Sequence, residues 1–155
     1  NLNIWEAVAE VVSQLDKNLI LVAMAGPDRK KIESIGSKHG VKIAFEFFAD
    51  RAYNQDGSRV SRREAGAVIH DQQEAADRVL KLVKEGKVIA RGGATICLAA
   101  DTICVHGDNP AAIRLIEKVR EVLTKAGVWE KFSTEQPRPS SAPAAVETPE
   151  TTEDA

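Results

Sequence analysis

Leu19-Ile20-Leu21-Val22-Ala23-Met24-Ala25 is an unbroken apolar run bounded by Asn18 and by Gly26-Pro27. It is too short for a typical helix, and a strand that is apolar at every position has to be covered on both faces, as strands of a parallel sheet are. The segments on either side have the complementary character. Ile4, Ala7, Val8, Val11, Val12 and Leu15 recur at helical spacing before the run, and Asp28 to Lys38 carries Ile32 and Ile35 among charges before stopping at His39-Gly40. Helices that alternate with short apolar strands point to an α/β fold with parallel strands.

Val41 to Ala49 is a second such strand, with one anomaly. Glu46 stands in its middle, and a carboxylate buried in a sheet costs several kcal/mol unless it is paired or put to use. Alternation sets Ala44, Glu46, Phe48 and Asp50 on one face and Ile43, Phe45 and Phe47 on the other, with Asp50 and Arg51 at the carboxyl end. A structural pairing of Glu46 with an arginine is the competing explanation.

A third strand runs through Ala100-Asp101-Thr102-Ile103-Cys104-Val105 and turns polar at His106-Gly107-Asp108, ahead of a long amphipathic helix. Thr102, Cys104 and His106 share one face, Ile103 and Val105 the other. Gly107 suits a turn, Asp108 or Asn109 a helix cap, and Pro110 a first helical position. Ligands in α/β folds bind at the carboxyl ends of parallel strands, which is where His106, Gly107 and Asp108 lie.

Between these strands, Tyr53 to Gly66 is polar and turn-rich around Asn54-Gln55-Asp56-Gly57-Ser58, with Arg59, Arg62 and Arg63 close behind. Such a loop is a lid or disordered, and its arginines are an anion clamp or a solvated charge run. Asp71 is a good N-cap, with Glu74 three residues on, for a helix from about Gln72 to Glu85 whose stripe is Ala75, Ala76, Val79, Leu80 and Val83. His39 reads as a helix-end residue, and His70 leans structural. Lys87 to Ala99 suggests two short strands around Gly92-Gly93. The last helix carries Ala112, Ile113, Leu115, Ile116, Val119, Val122, Leu123 and Ala126 and ends at Gly127. Beyond Phe132 the chain turns to Pro, Ser, Thr, Ala and Glu, the composition of a disordered tail.

At 155 residues and a net charge of −2, this is one domain's worth of chain without the electrostatic footprint of a nucleic-acid binder. No apolar run reaches the roughly 20 residues that span a bilayer, and no signal sequence is evident, so a cytoplasmic protein is expected. Cys97 and Cys104 lack metal or redox spacing and are expected to be reduced and buried. The chain begins at Asn1 without a methionine, as a piece of a longer protein would.

Glu46-Phe47-Phe48-Ala49-Asp50-Arg51-Ala52-Tyr53, then Gly66-Ala67-Val68-Ile69, then Ala100 to Asp108, in this order and spacing, closely resemble the LamB/YcsF family. The likeness runs from the first helix to about Val128. It implies a (β/α) barrel-like fold and the ATP-coupled 5-oxoprolinase reaction of lactam metabolism, which opens 5-oxo-L-proline to L-glutamate, carried out with two partner subunits that handle ATP. Segments of the family's N-terminal half have no counterpart. Residues 1–132 are therefore expected to be the C-terminal half of a barrel, with its N-terminal half absent, and 133–155 the tail. Carried over by position, the motif residues are Glu46, Asp50, Arg51 and Tyr53 in the first segment and Cys104, His106, Gly107 and Asp108 in the last.

Within that resemblance, His106 and Glu46 suit proton transfer, Arg51 suits a substrate carboxylate, and Asp50 and Asp108 suit orienting the others. Asp50, Arg51, Tyr53, Cys104 and Gly107 are thus candidate substrate-binding positions, and Glu46, His106 and Asp108 candidate catalytic ones. Cys104 as nucleophile is an alternative disfavoured by its ordinary core setting. His106, Asp108 and Glu46 are too few and too poorly spaced to assign a metal. An open nucleotide-binding fold would need a glycine-rich phosphate loop, which Gly26-Pro27-Asp28 does not supply. The rival of a different class is a non-catalytic truncated barrel, a scaffold or an oligomerising module, since an open sheet with exposed edges tends to associate.

Overall fold

In the computed structural model, which describes residues 1–16, 18–107 and 111–128, the element order is α1 (Leu2–Leu15), β1 (Ile20–Met24), α2 (Arg29–His39), β2 (Lys42–Phe48), α3 (Gln72–Glu85), β3 (Lys87–Ile89), β4 (Thr95–Cys97), β5 (Thr102–Cys104) and α4 (Ala112–Lys125). The three strands read from apolar runs form one sheet in the order β1-β2-β5, and both pairings are parallel. The fold is α/β with parallel strands. Lys87 to Ala99 makes a separate antiparallel hairpin, β3 with β4, that turns through Gly92 and Gly93, both at φ 89°. The expected tail from 133 onward lies outside the described residues.

One face of the sheet is the core. Phe45 and Phe47 on β2 are fully buried and cluster with Ala23 of β1, Ala75, Ala76, Val79 and Leu82 of α3, and Leu115, Val119 and Leu123 of α4. Ile103 and Val105 pack against the same cluster. The other face is uncovered along β1, where Ile20 and Val22 are 50% and 52% exposed.

Close packing of α2 on β2 depends on Gly36: a Cβ there would come within 2.5 Å of Ile43 Cγ1 and 2.9 Å of the Val41 carbonyl. Arg29, at the first position of α2, ties three segments together. Its Nε donates to Glu33 at 2.8 Å, Nη1 to the Ala99 carbonyl at 3.0 Å and Nη2 to Asp101 at 3.4 Å, while the guanidinium lies 4.2 Å over the Phe45 ring. Asp101 in turn exchanges bonds with Phe45: its carboxylate accepts from the Phe45 N–H at 2.9 Å, and its own N–H donates to the Phe45 carbonyl at 2.7 Å. A side chain takes the place of a ladder partner there, so β5 starts at Thr102 rather than at Ala100.

Helix α3 runs over the expected residues, with the Asp71 carboxylate accepting from Glu74 N–H at 2.7 Å as its cap. The buried stripes differ in detail. In α3 Leu82 is buried and Val83 is 44% exposed; in α4 Ile113 and Ile116 are 73% and 51% exposed. In α1 Ala9 is buried, whereas Ile4, Val8, Val11 and Leu15, expected inside, are exposed. Periodicity shows that a helix has an apolar face and is silent on what covers it. Helix α4 starts with Ala111 as N-cap, and Asp108, Asn109 and Pro110, expected to open it, lie outside the described residues.

The polar loop is ordered. Arg51 bridges to Val68 and Tyr53 to Arg59, and Ala52, Val60 and Ala67 form a small apolar cluster of their own. Among the described residues no helix is long and apolar enough to cross a membrane.

Candidate functional site

Because β2 and β5 run parallel, their carboxyl ends emerge at the same edge of the sheet, and the register that sets Phe48 beside Cys104 brings the following residues together. Asp50, 3% exposed, meets His106 there: His106 Nδ1 lies 3.0 and 3.2 Å from the two carboxylate oxygens. A carboxylate only accepts, so this contact puts an imidazole proton on Nδ1 and leaves Nε2 as the acceptor of the neutral ring. The ring is stacked on Phe48, with centroids 5.2 Å apart and planes 18° from parallel. Phe48 also carries the Arg59 guanidinium, 4.2 Å from its centroid.

Glu46 and His106 lie on the same face, as alternation requires, but not side by side. Glu46 is opposite Thr102, and His106 is four residues further along, roughly 13 Å of strand. No cation pairs with Glu46 among the described residues; its neighbour is the Cys104 thiol. Burial pushes that thiol up to about 11, and the Glu46 carboxylate, which repels a thiolate and hydrogen-bonds the protonated form, adds to the effect. Cys104 is thus a protonated, polar part of the surface and not a nucleophile at neutral pH. Cys97, expected to be buried, is exposed on the hairpin.

Two expected substrate contacts are placed elsewhere. Arg51 is 4% exposed; its Nη2 donates to the Val60 carbonyl at 2.6 Å and its Nε to the Ala67 carbonyl at 3.2 Å. The guanidinium assigned to a substrate carboxylate instead clamps the loop, and burial pulls its pKa below the ordinary arginine value. Tyr53 is fully buried on the core side, stacked on Phe47 at 5.1 Å, and its hydroxyl accepts from the Phe48 N–H at 3.1 Å. Arg51 is held by carbonyls 9 and 16 residues along the chain and Tyr53 by the end of β2 folding back on it, contacts that strand alternation does not reveal. Gly107 is exposed at the strand tip; its φ is not positive, and among the described residues a Cβ there would meet nothing within 4 Å. Asp108 lies outside the described residues.

The sequence offers Arg59, Arg62 and Arg63 together as an anion clamp or a solvated charge run, because nothing in the run separates one arginine from the next. The antiparallel bridge between Tyr53 and Arg59 is what turns the latter towards Phe48. The two unassigned histidines stay outside the site: His39 ends α2 and bonds Glu6 of α1 at 3.0 Å, and His70 is exposed. An open groove of about 820 Å³ lies elsewhere, between Gly66–Asp71, α3 and β3, lined by Asp71, Glu74, Asp77, Arg78, Lys81 and Arg91. Several of its cations are already engaged: Arg78 by the Arg51 and Ile89 carbonyls, Arg91 by Glu64, Lys81 by Glu85. It is a mixed-charge trough, apart from the residues gathered at the strand tips. Among the described residues no three of His, Cys, Asp and Glu converge as metal ligands.

The model of the LamB/YcsF family matches residues 1–137. The chain is similar to the 5-oxoprolinase A subunit of Natranaerobius thermophilus, 46% identical over 129 residues that make up 83% of this chain and 49% of the relative. A protein of the same description from Pyrococcus abyssi is 47% identical over 122 residues, 79% of this chain and 47% of the relative. Among solved structures, the lactam utilization protein from Thermus thermophilus superimposes with a TM-score of 0.70 at 36% identity, covering 79% of this chain and 47% of that one. The chain spans about half the length of the curated relatives it matches.

Proposed function

Since the chain belongs to the LamB/YcsF family, we propose that its three parallel strands form one wall of a (β/α) barrel and supply the acid–base side of a lactam-opening site, converting 5-oxo-L-proline to L-glutamate in an ATP-coupled complex with two further subunits. The observation that carries this reading is the His106 Nδ1–Asp50 contact at 3.0 Å on the sheet face shared with Glu46. The names of the relatives, a 5-oxoprolinase component and a lactam utilization protein, support the substrate class.

In the opening step a water oxygen bonds to the lactam carbonyl carbon, the carbon–nitrogen bond breaks, and the nitrogen leaves as an amine that needs a proton. His106 Nε2 takes the proton from the water and delivers it to the nitrogen. Asp50, buried and bonded to Nδ1, fixes the ring's orientation and tautomer and offsets the charge that the imidazole gains. Glu46 lies too far along β2 to exchange a proton with His106 directly and acts through water or substrate, while Cys104 presents a neutral thiol between them.

Among the described residues, the turn after β1 does not fit a nucleotide phosphate. It has no glycine-rich cradle, the N-cap of α2 is the acid Asp28, and Arg29 is committed to Glu33 and Asp101. Binding and hydrolysis of ATP are assigned in this proposal to the partner subunits, and no step here runs through it.

The test is His106→Ala in the complete assembly with its partner subunits, with glutamate release as the readout. Turnover is expected to fall by about 100- to 10,000-fold with the fold intact by circular dichroism; turnover near that of the wild type would overturn the role. The uncovered apolar face at Ile20 and Val22 favours a second reading, a non-catalytic oligomerising module. In that case the unmutated assembly opens no lactam at all.

A further inference from the structure

We infer that Arg59 is the group that takes the carboxylate of the lactam substrate, a role that rests on the lactam-opening function proposed for this site. Its guanidinium lies 4.2 Å over the Phe48 ring, and His106 is stacked on that same ring at 5.2 Å. The cation and the imidazole thus both contact one aromatic side chain, and the guanidinium is close enough to the Cys104 thiol, on the face that His106 shares, to act on it electrostatically. In 5-oxoproline the carboxylate is on the ring carbon next to the lactam nitrogen, so an anchor for the carboxylate has to belong to the same site as the proton donor to that nitrogen.

The guanidinium has the donors to spare. Among the described residues no carbonyl or carboxylate accepts from Arg59, in contrast to Arg51, two of whose nitrogens are bonded to carbonyls. With its carbon 4.2 Å from the Phe48 centroid and none of its nitrogens given to a carbonyl or carboxylate among the described residues, the guanidinium keeps its fork for bidentate pairing with a carboxylate. The position is also preorganised. Arg51 Nη2 bonds the carbonyl of Val60, the residue after Arg59, at 2.6 Å; Val60 N–H bonds the Ala52 carbonyl at 3.0 Å; and Asn54 N–H bonds the Ser58 carbonyl, on the other side of Arg59, at 2.7 Å. Arg51 is thereby a positioning residue, holding the backbone from which Arg59 projects.

The experiment uses the complete assembly carrying Arg59→Met or Arg59→Lys, with 5-oxo-L-proline as substrate and 2-pyrrolidinone, the same lactam without the carboxylate, as competing inhibitor. Arg59→Met should raise KM for 5-oxoproline about 10- to 100-fold, the range for losing a charge-assisted hydrogen-bonded pair. It should leave kcat within a few-fold and the inhibition constant of 2-pyrrolidinone unchanged, and Arg59→Lys should recover part of the loss. An unchanged KM, or a parallel rise in KM and in the 2-pyrrolidinone constant, would overturn the assignment while leaving the lactam-opening reading in place. A wild-type assembly that opens no lactam would overturn both. Should the methionine variant fail to fold, the lysine variant carries the same comparison, since a point charge in place of a planar fork also raises KM selectively.

Discussion

Arg51 lies 4% exposed among main-chain carbonyls, whereas Arg59, in the same loop, rests on an aromatic ring and donates to no carbonyl or carboxylate among the described residues. Identical chemistry is put to different uses by what surrounds it. The same holds for the acids: Asp50 is satisfied by an imidazole, while Glu46 faces a thiol whose proton it helps to retain. The consequence for Cys104 is measurable. With its thiol raised to about 11, the thiolate fraction is small near neutral pH and grows about tenfold per pH unit up to that value. Iodoacetamide followed by peptide mass spectrometry should therefore modify exposed Cys97 first and Cys104 slowly, at a rate still climbing at about pH 10. Rapid, pH-independent modification of Cys104 near pH 7 would contradict this environment.

At the scale of elements, the strands, helix α3 and the hairpin were legible because each rests on local chemistry: unbroken apolar runs, the Asp71 cap, the Gly92-Gly93 turn. The side chains that leave those elements were less so. Alternation correctly put Glu46, Cys104 and His106 on one face, because pleating is a property of the strand itself. Arg51 and Tyr53 follow the end of β2, where direction is decided by the Val60 and Ala67 carbonyls and by Phe47, contacts that come from folding and not from spacing. The sheet also depends on a glycine whose reason is visible only in three dimensions. Gly36→Ala gains about 1 kcal/mol of helix propensity but drives a methyl into Ile43 and the Val41 carbonyl, an overpacking that costs about 1–3 kcal/mol. Urea unfolding should show a net loss of stability; a variant as stable as the parent or more so would show that α2 is free to move off β2.

For the molecule as a whole, helices cover one face of the sheet, and the proposed chemistry lies on the other, where Ile20 and Val22 are half exposed. A site that handles an activated carbonyl works best with bulk water shut out, so a functioning assembly needs cover over that face. What these residues do hold ready is the pair at the strand tips, brought together by the parallel register of β2 and β5. Whether Asp50 acts through His106 is decided by glutamate release from the complete assembly carrying Asp50→Asn, His106→Ala and both together. If the carboxylate serves the imidazole, each single change slows turnover and the double variant is no slower than His106→Ala alone. Losses that multiply in the double variant would mean that the two residues act independently, and the dyad on which the proposed chemistry stands would not exist.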